Sequence, residues 1–572
     1  MRFFAVSTLT LSAFVSAQSN SVDQYISSEG PIAKAGLLAN IGPDGSKSSG
    51  AMAGVVIASP STTNPDYLYS WIRDSSLVFK VIIDQYTTGQ DSSFGNLIDD
   101  FVTAEATFQK IPNPSGNVST GGLGEPKFYI NETAFEGSWG RPQRDGPALR
   151  ATAMITYANY LIDNGNITGV KNTLWPIIQL DLDYVSSNWN QTTFDLWEEI
   201  QSSSFFTTAV QHRALREGFA LASKLGETSA AGGYLTQADN LLCFLQSYWN
   251  PSGGYITANT GGGRSGKDAN AVLASIHTFD YTAGCDAATF QPCSDKALSS
   301  LKVFVDSFRS IYSINNGLSA NASVAVGRYP EDVYMGGNPW YLTTAAVAEQ
   351  LYDALTVWSD LDSLNVTSTS LAFFQDFDSS VQAGTYDSSS SAYSTLTSAI
   401  RDYADGFLAI NAKNTPSNGG LSEQYSKSDG SPTSAADLTW SYASALTAFS
   451  ARNGTKYATW GAKGLTIPSS CSPNSGPTVS VQFNVNATTI EGENIFITGS
   501  VDTLKDWSPD DALKLDPANY PIWQITVNLP ASETIQYKYL RKNNGQVTWE
   551  DDPNNSITTP SSGADATHDT WR

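Results

Sequence analysis

The chain is 572 residues long, more than a single domain usually holds, so two or more domains are expected. It carries 32 Lys and Arg against 55 Asp and Glu, a formal net charge of -23. So acidic a surface argues against nucleic acids and anionic membranes as partners. Aromatic residues make up 11% of the chain and include 14 Trp and 26 Tyr. Such rings suit stacking on the apolar face of a sugar, although large cores also use them.

The N-terminus has the pattern of a secretory signal. A charged start, Met1-Arg2, precedes an apolar run over residues 3–15 and the small-residue site Val15-Ser16-Ala17. We therefore expect residues 1–17 to be a signal peptide and the mature chain to begin at Gln18. No later apolar run approaches the roughly 20 residues of a membrane span, so a soluble, extracellular protein is predicted. Glycosylation sequons agree with export; they lie at Asn117, Asn131, Asn166, Asn190, Asn321, Asn365, Asn453 and Asn486.

Four cysteines in an oxidising compartment are expected to form two disulfides. Cys285 and Cys293 bracket a short loop and are predicted to pair locally, which leaves Cys243 to pair with Cys471. The chain has only three His and shows neither a phosphate-binding Gly-rich loop nor a Gly-x-Ser-x-Gly elbow. Metal-dependent, nucleotide-dependent and serine-hydrolase chemistry are therefore not expected, and no cofactor is predicted.

Helical periodicity dominates the chain from about residue 22 to residue 466. Apolar residues recur at i, i+3 and i+4, and polar, Gly-rich loops separate the segments. About a dozen such helices suggest pairs arranged in a ring, although periodicity alone does not establish that the ring closes. The predicted helices are 75–85, 96–109, 147–163, 174–187, 203–225, 237–248, 296–312, 342–360, 361–384, 393–411 and 435–451.

The pattern changes after Trp460. Residues 468–477 are rich in Pro and Ser and are predicted to be a short linker between a domain at 18–467 and a domain at 478–572. Beyond the linker, apolar residues alternate with period two, which predicts strands and a small β-sandwich. The predicted strands are 479–485, 494–499, 522–527 and 535–540.

The stretch Phe194–Glu199 concentrates acidic and aromatic residues. Two adjacent carboxylates beside an indole suggest one carboxyl group kept protonated against an apolar wall and one that binds a polar ligand. The alternative is an acidic first turn of a helix, which the helix dipole favours without any function.

Four further clusters combine aromatic, charged and Gly or Pro residues in predicted loops. Ordering such loops is costly, so a shared function explains four of them better than chance does. For the Arg73-Asp74 pair the structural alternative is a buried salt bridge. The clusters are 66–74, 121–128 with 138–145, 327–334 with 337–340, and 421–425.

In this order and spacing the clusters resemble the fungal glucoamylases of glycoside hydrolase family 15, over about residues 28–472. The resemblance implies an (α/α)6 toroid with a blind pocket for the non-reducing end of starch. By resemblance, Glu198 is the general acid and Glu423 the general base of an inverting hydrolase, with carboxyl groups roughly 6.5–9.5 Å apart. We expect desolvation beside Trp197 to keep Glu198 protonated, and the polar neighbours Ser422 and Gln424 to keep Glu423 ionised.

The resemblance also assigns sugar contacts. Arg73 and Asp74 are expected to bind the terminal glucose, which favours attack at chain ends. Arg328 is expected to be a second guanidinium in that subsite, with Asp332 holding its surroundings. The remaining predicted contacts are the aromatic walls Tyr67, Trp71, Trp139 and Trp340, together with Leu196, Trp197, Glu199 and Tyr334. Each Trp taken alone is more often a core residue.

The C-terminal domain is similar to the starch-binding modules of carbohydrate-binding family 20. Trp507 and Trp549 are expected to form the stacking platform, with Lys538, Glu550 and Asn554 as its polar rim. Tyr520 and Trp523 match a second site in part, and Glu491 stands where family members often have Tyr, a departure from the pattern of that site. The linker, extended, spans at most ~35 Å.

These expectations combine into one functional prediction. The chain is predicted to be a secreted, monomeric, exo-acting glucoamylase that hydrolyses terminal α-1,4 bonds, and α-1,6 bonds more slowly, releasing β-D-glucose. Starch, maltodextrins and raw starch granules are the predicted partners. Two alternatives remain: a toroid hydrolase for another α-glucan or trehalose, and a non-catalytic starch-binding protein.

Overall fold

The computed structural model describes residues 6–469, 478–505, 507–530, 533–543, 545–560 and 564–572. The chain divides into two compact units, one made of residues 1–185 and 191–471 and the other mainly of residues 472–572. Most of the predicted linker, including Cys471 and with it the predicted Cys243–Cys471 disulfide, lies outside the described residues.

Within the described part, the first unit holds twelve helices of eight or more residues. In chain order they are α1 Val6–Ala39, α2 Ile72–Thr87, α3 Gly95–Phe108, α4 Asp145–Asp163, α5 Trp175–Asn188, α6 Phe205–Leu225, α7 Thr228–Leu245, α8 Asn270–His277, α9 Asp295–Ser307, α10 Tyr341–Asp360, α11 Ser391–Asn414 and α12 Thr439–Arg452.

The even-numbered helices form a closed inner ring. Each of them packs against the next, from α2 through α4, α6, α8 and α10 to α12, and α12 returns to α2. The odd-numbered helices alternate with them along the chain, and α7, α9 and α11 pack directly on the ring. The ring helices are almost wholly buried; α10, for example, exposes little beyond its last turn. This is the predicted (α/α)6 toroid.

Short hairpins connect the helices of the toroid. Their strands are β1 Ser70–Trp71, β2 Lys127–Tyr129, β3 Thr133–Ala134, β4 Thr193–Phe194, β5 Gln201–Ser202, β6 Trp249–Asn250, β7 Tyr255–Ile256, β8 Ser363–Val366, β9 Gly384–Asp387, β10 Gln424–Tyr425 and β11 Pro432–Thr433. Because the chain returns through an outer helix before each inner one, the segments that lead into the inner helices gather at one end of the ring.

Two sequence predictions need correction here. Residues 361–384 are not a helix, because β8 pairs with β9 across them and only Leu371–Gln375 is helical. Helices α1 and α8 were not predicted as such, and the expected signal-cleavage point after Ala17 falls within α1. Among the described residues, no helix has the length and apolar character required to cross a membrane. The predicted Cys285–Cys293 disulfide is present.

The second unit is a β-sandwich of two five-stranded sheets. Its strands are β12 Thr478–Asn486, β13 Asn494–Gly499, β14 Leu513–Lys514, β15 Asp516–Asn519, β16 Ile522–Pro530, β17 Thr534–Asn543, β18 Gln546–Trp549, β19 Asn555–Thr558, β20 Ala564–Ala566 and β21 Asp569–Thr570. One sheet has the order β15-β16-β12-β20 with β21 also on β12, and the other has β14-β13-β17-β18 with β19 also on β17. Inward residues such as Val481, Phe483, Ile497 and Tyr539 fill the core between the sheets, as their period-two spacing predicts.

Candidate active site

A cavity of about 660 Å³ lies where the segments entering the inner helices meet. Nearly all of the sugar contacts predicted from the sequence line it, and Asp332 stands behind the lining. Predicted residues in the lining are Tyr67, Trp71, Arg73, Asp74, Trp139, Leu196, Trp197, Glu198, Glu199, Arg328, Tyr334, Trp340 and Glu423. The topology therefore gathers predicted residues that are up to 356 positions apart, from Tyr67 to Glu423 (423 minus 67), around one space.

Glu198 and Glu199 lie in the loop of the β4–β5 hairpin and not in the first turn of a helix. The buried Asp195 organises this loop: its carboxylate accepts hydrogen bonds from the backbone N–H groups of Glu199 and Ile200, at 2.9 and 3.1 Å. Glu198 adopts a φ of 67°, a left-handed conformation that non-glycine residues rarely take outside constrained sites. The loop thus fixes the direction of the Glu198 side chain.

The Glu198 carboxylate accepts one hydrogen bond from Arg73, at 2.9 Å, and one from the indole N–H of Trp139. Withdrawal from bulk water raises the pKa of Glu198, while Arg73 and Trp139 oppose the shift. The neighbouring Trp197 lines the same cavity, and its indole N–H donates to Asp268 at 2.8 Å. The upward shift of the Glu198 pKa has the direction that a proton donor needs.

Glu423 directly precedes β10 and is 1% exposed. Its carboxylate accepts hydrogen bonds from the Ser434 hydroxyl and, at 3.2 Å, from the Gln424 amide. Burial raises the pKa of Glu423 to about 7, against the opposing effect of Ser434 and Tyr67. Ser422 and Gln424, the polar neighbours expected to keep Glu423 ionised, are themselves buried, and the effect of burial on the pKa outweighs that of the opposing hydrogen bonds.

Arg73 is buried and paired with groups other than its neighbour Asp74. Its guanidinium donates to Asp145 at 2.7 Å, to Gln143 and to Glu198. The predicted alternative, a salt bridge within the Arg73-Asp74 pair, is not the pairing observed. The Nε of Arg73 has no hydrogen-bond partner among the described residues. Burial raises the pKa of Asp74, which lines the same cavity, to about 7. The side chains of Arg73 and Asp74 can thus both bind a polar ligand.

Arg328 is the centre of a second group of charged residues at the cavity. Asp332 accepts two hydrogen bonds from its guanidinium, at 2.8 and 2.7 Å, and Glu199 accepts one at 2.9 Å. Burial alone would raise the pKa of Glu199, but Arg328, Tyr329 and Arg264 together hold it below its ordinary value. The pKa values of the two adjacent carboxyl groups are therefore shifted in opposite directions, Glu199 downwards and Glu198 upwards.

Aromatic rings form much of the cavity wall. Trp71 packs at 5.4 Å from Tyr67 and at 5.9 Å from Trp139, and Trp340 packs at 5.7 Å from Trp197. The hydroxyl groups of Tyr67 and Tyr334 lie 2.6 Å apart. The indole N–H groups of Trp71 and Trp340 are buried without a partner among the described residues, so hydrogen-bond donors remain available in an otherwise apolar wall.

The sequence reasoning missed several lining residues, most clearly Lys127. Its ammonium lies 3.6–4.7 Å from the ring centres of Tyr69, Trp71, Phe135 and Trp139, and desolvation lowers its pKa to about 8. Lys127 stands in a cluster singled out from the sequence, Gly121–Phe128. A lone Lys in a loop carries no signal that rings from two other segments, 69–71 and 135–139, will surround it.

In the second unit, both predicted platform residues reach the surface. Trp549 is 39% exposed, and Trp507 is half-buried with a φ of 63°. Of the predicted polar rim, Asn554 is exposed and donates to Gln536 at 2.9 Å. Lys538 is largely buried and donates to Asp552 at 2.7 Å.

Two residues predicted to bind starch lie beneath the surface instead. Glu550 is 2% exposed and accepts hydrogen bonds from the Tyr539 backbone and the Asn555 amide, so it supports the rim from below. Trp523 is 3% exposed, and its indole N–H donates to the Ala487 carbonyl at 3.0 Å. Trp523 is therefore a core residue, while its predicted companion Tyr520 is 53% exposed.

Two buried carboxyl groups in an aromatic cavity of an (α/α)6 toroid can act as the general acid and the general base that cleave a glycosidic bond. Residues 31–450 match the family described as Glycosyl hydrolases family 15, and residues 478–569 match the Starch binding domain. The chain belongs to glycosyl hydrolases family 15 and is a glycoside hydrolase with a C-terminal starch binding domain.

Relatives match over nearly the whole chain. It is 62% identical to Glucoamylase-1 of Schizophyllum commune, over 99% of both chains. It is 47% identical to Glucoamylase of Neurospora crassa, over 96% of this chain and 94% of that one. Among solved structures, the Glycoside Hydrolase Family 15 Glucoamylase from Hypocrea jecorina matches with a TM-score of 0.78 and 49% identity, covering 96% of this chain and 100% of that one.

Proposed function

We propose that the chain is an exo-acting glucoamylase that hydrolyses terminal α-1,4 bonds of starch, and α-1,6 bonds more slowly, with inversion to β-D-glucose. The observation that carries the proposal is that Glu198 and Glu423, both with raised pKa, line one cavity together with Arg73, Asp74 and Arg328. Relatives named glucoamylase over the whole chain length support it.

Glu198 is suited to the role of general acid. A protonated Glu198 gives its proton to the glycosidic oxygen as the bond to the anomeric carbon breaks. The carboxylate that results is stabilised at once by the hydrogen bonds from Arg73 and Trp139. Negative charge thus develops next to hydrogen-bond donors that are already in position. The activation barrier is lowered because these donors need not reorganise.

Glu423 is suited to the role of general base. Its raised pKa makes the ionised form a stronger proton acceptor than an exposed carboxylate. Ser434 and Gln424 fix its orientation, so that it can take a proton from a water molecule attacking the face opposite the leaving group. That geometry inverts the anomeric centre and releases the β-anomer.

The polar side chains of the cavity favour attack at chain ends. Asp74 and Arg73 can bind hydroxyl groups that only a terminal glucose leaves free, and Glu199 and Arg328 can bind further hydroxyl groups of the first two glucose units. Trp71 and Trp340 supply stacking faces and unpaired N–H donors. We further propose that the chain is secreted as a monomer after loss of residues 1–17, and that its starch binding domain attaches it to granules.

Substitution of the two carboxyl groups tests the proposal. Glu198→Gln and Glu423→Gln should each lower kcat on maltose by about 10²- to 10⁴-fold while maltose still binds, as measured by tryptophan fluorescence. On α-glucosyl fluoride, whose leaving group needs no proton, Glu198→Gln should recover much of its rate and Glu423→Gln should not. A near-wild-type rate on maltose for either variant would contradict its role.

A further inference from the structure

A Gly-rich loop, residues 257–267, lies beside the β4–β5 hairpin and connects β7 to the inner helix α8. Its Thr260 N–H donates to the carbonyl of Ser203, just past β5, at 3.0 Å. A Cβ on Gly262, whose φ is 98°, would lie 2.6 Å from the side chain of Ile200. The Gly-rich loop is therefore packed against the turn of that hairpin.

Arg264 reaches from this loop to Glu199. Its guanidinium donates a hydrogen bond to Oε2 of the Glu199 carboxylate and lies 3.7 Å from the ring centre of Tyr329. The Tyr329 hydroxyl donates to the same oxygen. A planar guanidinium can stack on an aromatic face while its edge donates hydrogen bonds, a combination that a lysine ammonium does not offer. Arg264 and Tyr329 thus hold Oε2 of Glu199 together.

Further contacts fix the part of the loop that carries Arg264. The Ser265 N–H donates to the Glu331 carboxylate at 3.0 Å, and the Tyr255 hydroxyl donates to the Ser265 carbonyl at 2.8 Å. Nη1 of Arg264 lies 4.0 Å from the carboxylate of Asp195, the buried residue that organises the turn of the β4–β5 hairpin. Arg264 is therefore held in place and contacts two acidic residues of that turn.

The two oxygens of the Glu199 carboxylate are not equivalent. Among the described residues, Oε2 accepts hydrogen bonds from Arg264 and Tyr329, whereas Oε1 accepts one, from Arg328 at 2.9 Å. An ionised carboxylate offers about four lone-pair sites, about two on each oxygen. Oε1 can therefore accept a further hydrogen bond. Glu199 lines the cavity of about 660 Å³, and Arg264 stands behind that lining.

We propose that Arg264 is a positioning residue for substrate binding, which holds Oε2 of Glu199 so that Oε1 accepts a hydroxyl group of the sugar. The proposal rests on the proposed function, since that hydroxyl belongs to one of the first two glucose units of an α-glucan. Arg264 acts through Glu199, so it contributes to substrate affinity and not to the chemical step. Without Arg264, Tyr329 alone would hold Oε2, and the carboxylate could turn away from the sugar.

The KM for maltose tests this role in the full-length enzyme. Arg264→Met should raise that KM about three- to thirtyfold, because a hydrogen bond from the sugar to a charged acceptor is weakened. The kcat should change by less than about twofold, since the lost binding is common to the ground state and the transition state. Lys267→Met is the matched control: it removes a positive charge from the same loop, at a side chain 5.9 Å from the ring of Tyr255. Its KM should equal that of wild type.

A double-mutant cycle with Glu199→Ala separates positioning from a general disturbance of the loop. Because Arg264 acts through Glu199, Arg264→Met should raise the KM by less than about twofold in the Glu199→Ala background. Four outcomes would each overturn the role: an unchanged KM in Arg264→Met, a fall in kcat as large as the rise in KM, a full rise in the Glu199→Ala background, or the same rise in Lys267→Met. Failure of the proposed function would look different, because the parent enzyme itself would not hydrolyse maltose.

Discussion

Ser434 donates a hydrogen bond to the Glu423 carboxylate from a backbone position with a φ of 64°. That bond stabilises the ionised form and so lowers the pKa of Glu423, against the upward effect of burial. Ser434→Ala should therefore raise this pKa further. Because a general base must be ionised, the acidic limb of the kcat/KM profile should move to higher pH.

The measurement is a pH profile of kcat/KM on maltose for both enzymes. Ser422→Ala is the matched control, since its hydroxyl makes no hydrogen bond to Glu423. An acidic limb that stays in place, or moves to lower pH, in Ser434→Ala would show that Glu423 is not the base.

The structure gathers in one cavity the residues that short motifs singled out, namely both carboxyl groups and most of the wall. Adjacent acidic and aromatic residues in Gly-rich loops are visible without coordinates, whereas the catalytic roles given to them stay predictions. The sequence could not foresee that Asp268 takes the Trp197 N–H or that Ser434 holds Glu423. Such contacts join segments of distant sequence positions. Nor could the sequence foresee the upward shift of the Glu423 pKa, since burial depends on the whole ring of helices.

At the scale of an element, α10 carries an uncompensated acidic pair, Glu349 and Asp353, one turn apart. Glu349 is 8% exposed and its described hydrogen-bond partner is the Thr447 hydroxyl. Burial raises its pKa from 4.5 to about 7. Because the pKa of Glu349 is higher in the folded than in the unfolded state, keeping this group protonated favours the folded state. That contribution to the free energy of unfolding is complete below about pH 4.5 and is lost as the pH rises through about 7.

Glu349→Gln should therefore remove part of the loss of stability that accompanies the rise in pH. Between pH 5 and pH 8 the wild type should lose more free energy of unfolding than the variant, by an amount on the order of 2 kcal/mol. Thermal unfolding at the two pH values measures the difference, with Glu227→Gln, at a partly exposed position, as control. Parallel losses in wild type and Glu349→Gln would contradict a neutral Glu349 in the native protein.

Elements with regular amphipathic patterns were predictable, and those defined by long-range pairing were not. Helices α4 and α6 differ from their predicted ranges by two residues at most. Helix α8 is buried on all sides, so it offers no amphipathic contrast. The β8–β9 hairpin was mistaken for a helix because its strands pair across seventeen intervening residues. Periodicity within a short window does not detect such pairing.

At the scale of the whole molecule, the match to glycosyl hydrolases family 15 and the match to the starch binding domain lie in different units. Trp549→Ala in the full-length chain should weaken adsorption to raw starch granules by about tenfold or more, because it removes an exposed ring of the platform. Its kcat and KM on maltose should equal those of wild type. Sedimentation of granules measures adsorption, and Trp523→Phe, a change in the sandwich core, is the comparison. Unchanged adsorption would exclude Trp549 from the platform.

The structural class of each unit could be predicted from the sequence, because helical periodicity gives way to strand periodicity near residue 468. The closing of six helices into a ring was not, since it depends on contacts between α12 and α2. The resemblance to a family supplied the toroid, and the structure gives the contacts that close it.

The anomer released first from soluble starch tests the central claim most directly. Proton NMR should show β-glucose as the sole early product, before mutarotation sets in. That result is what exo attack with inversion by Glu198 and Glu423 predicts. Early α-glucose would mean retention through a nucleophile other than water, and maltose or longer fragments would mean that the cavity does not select chain ends.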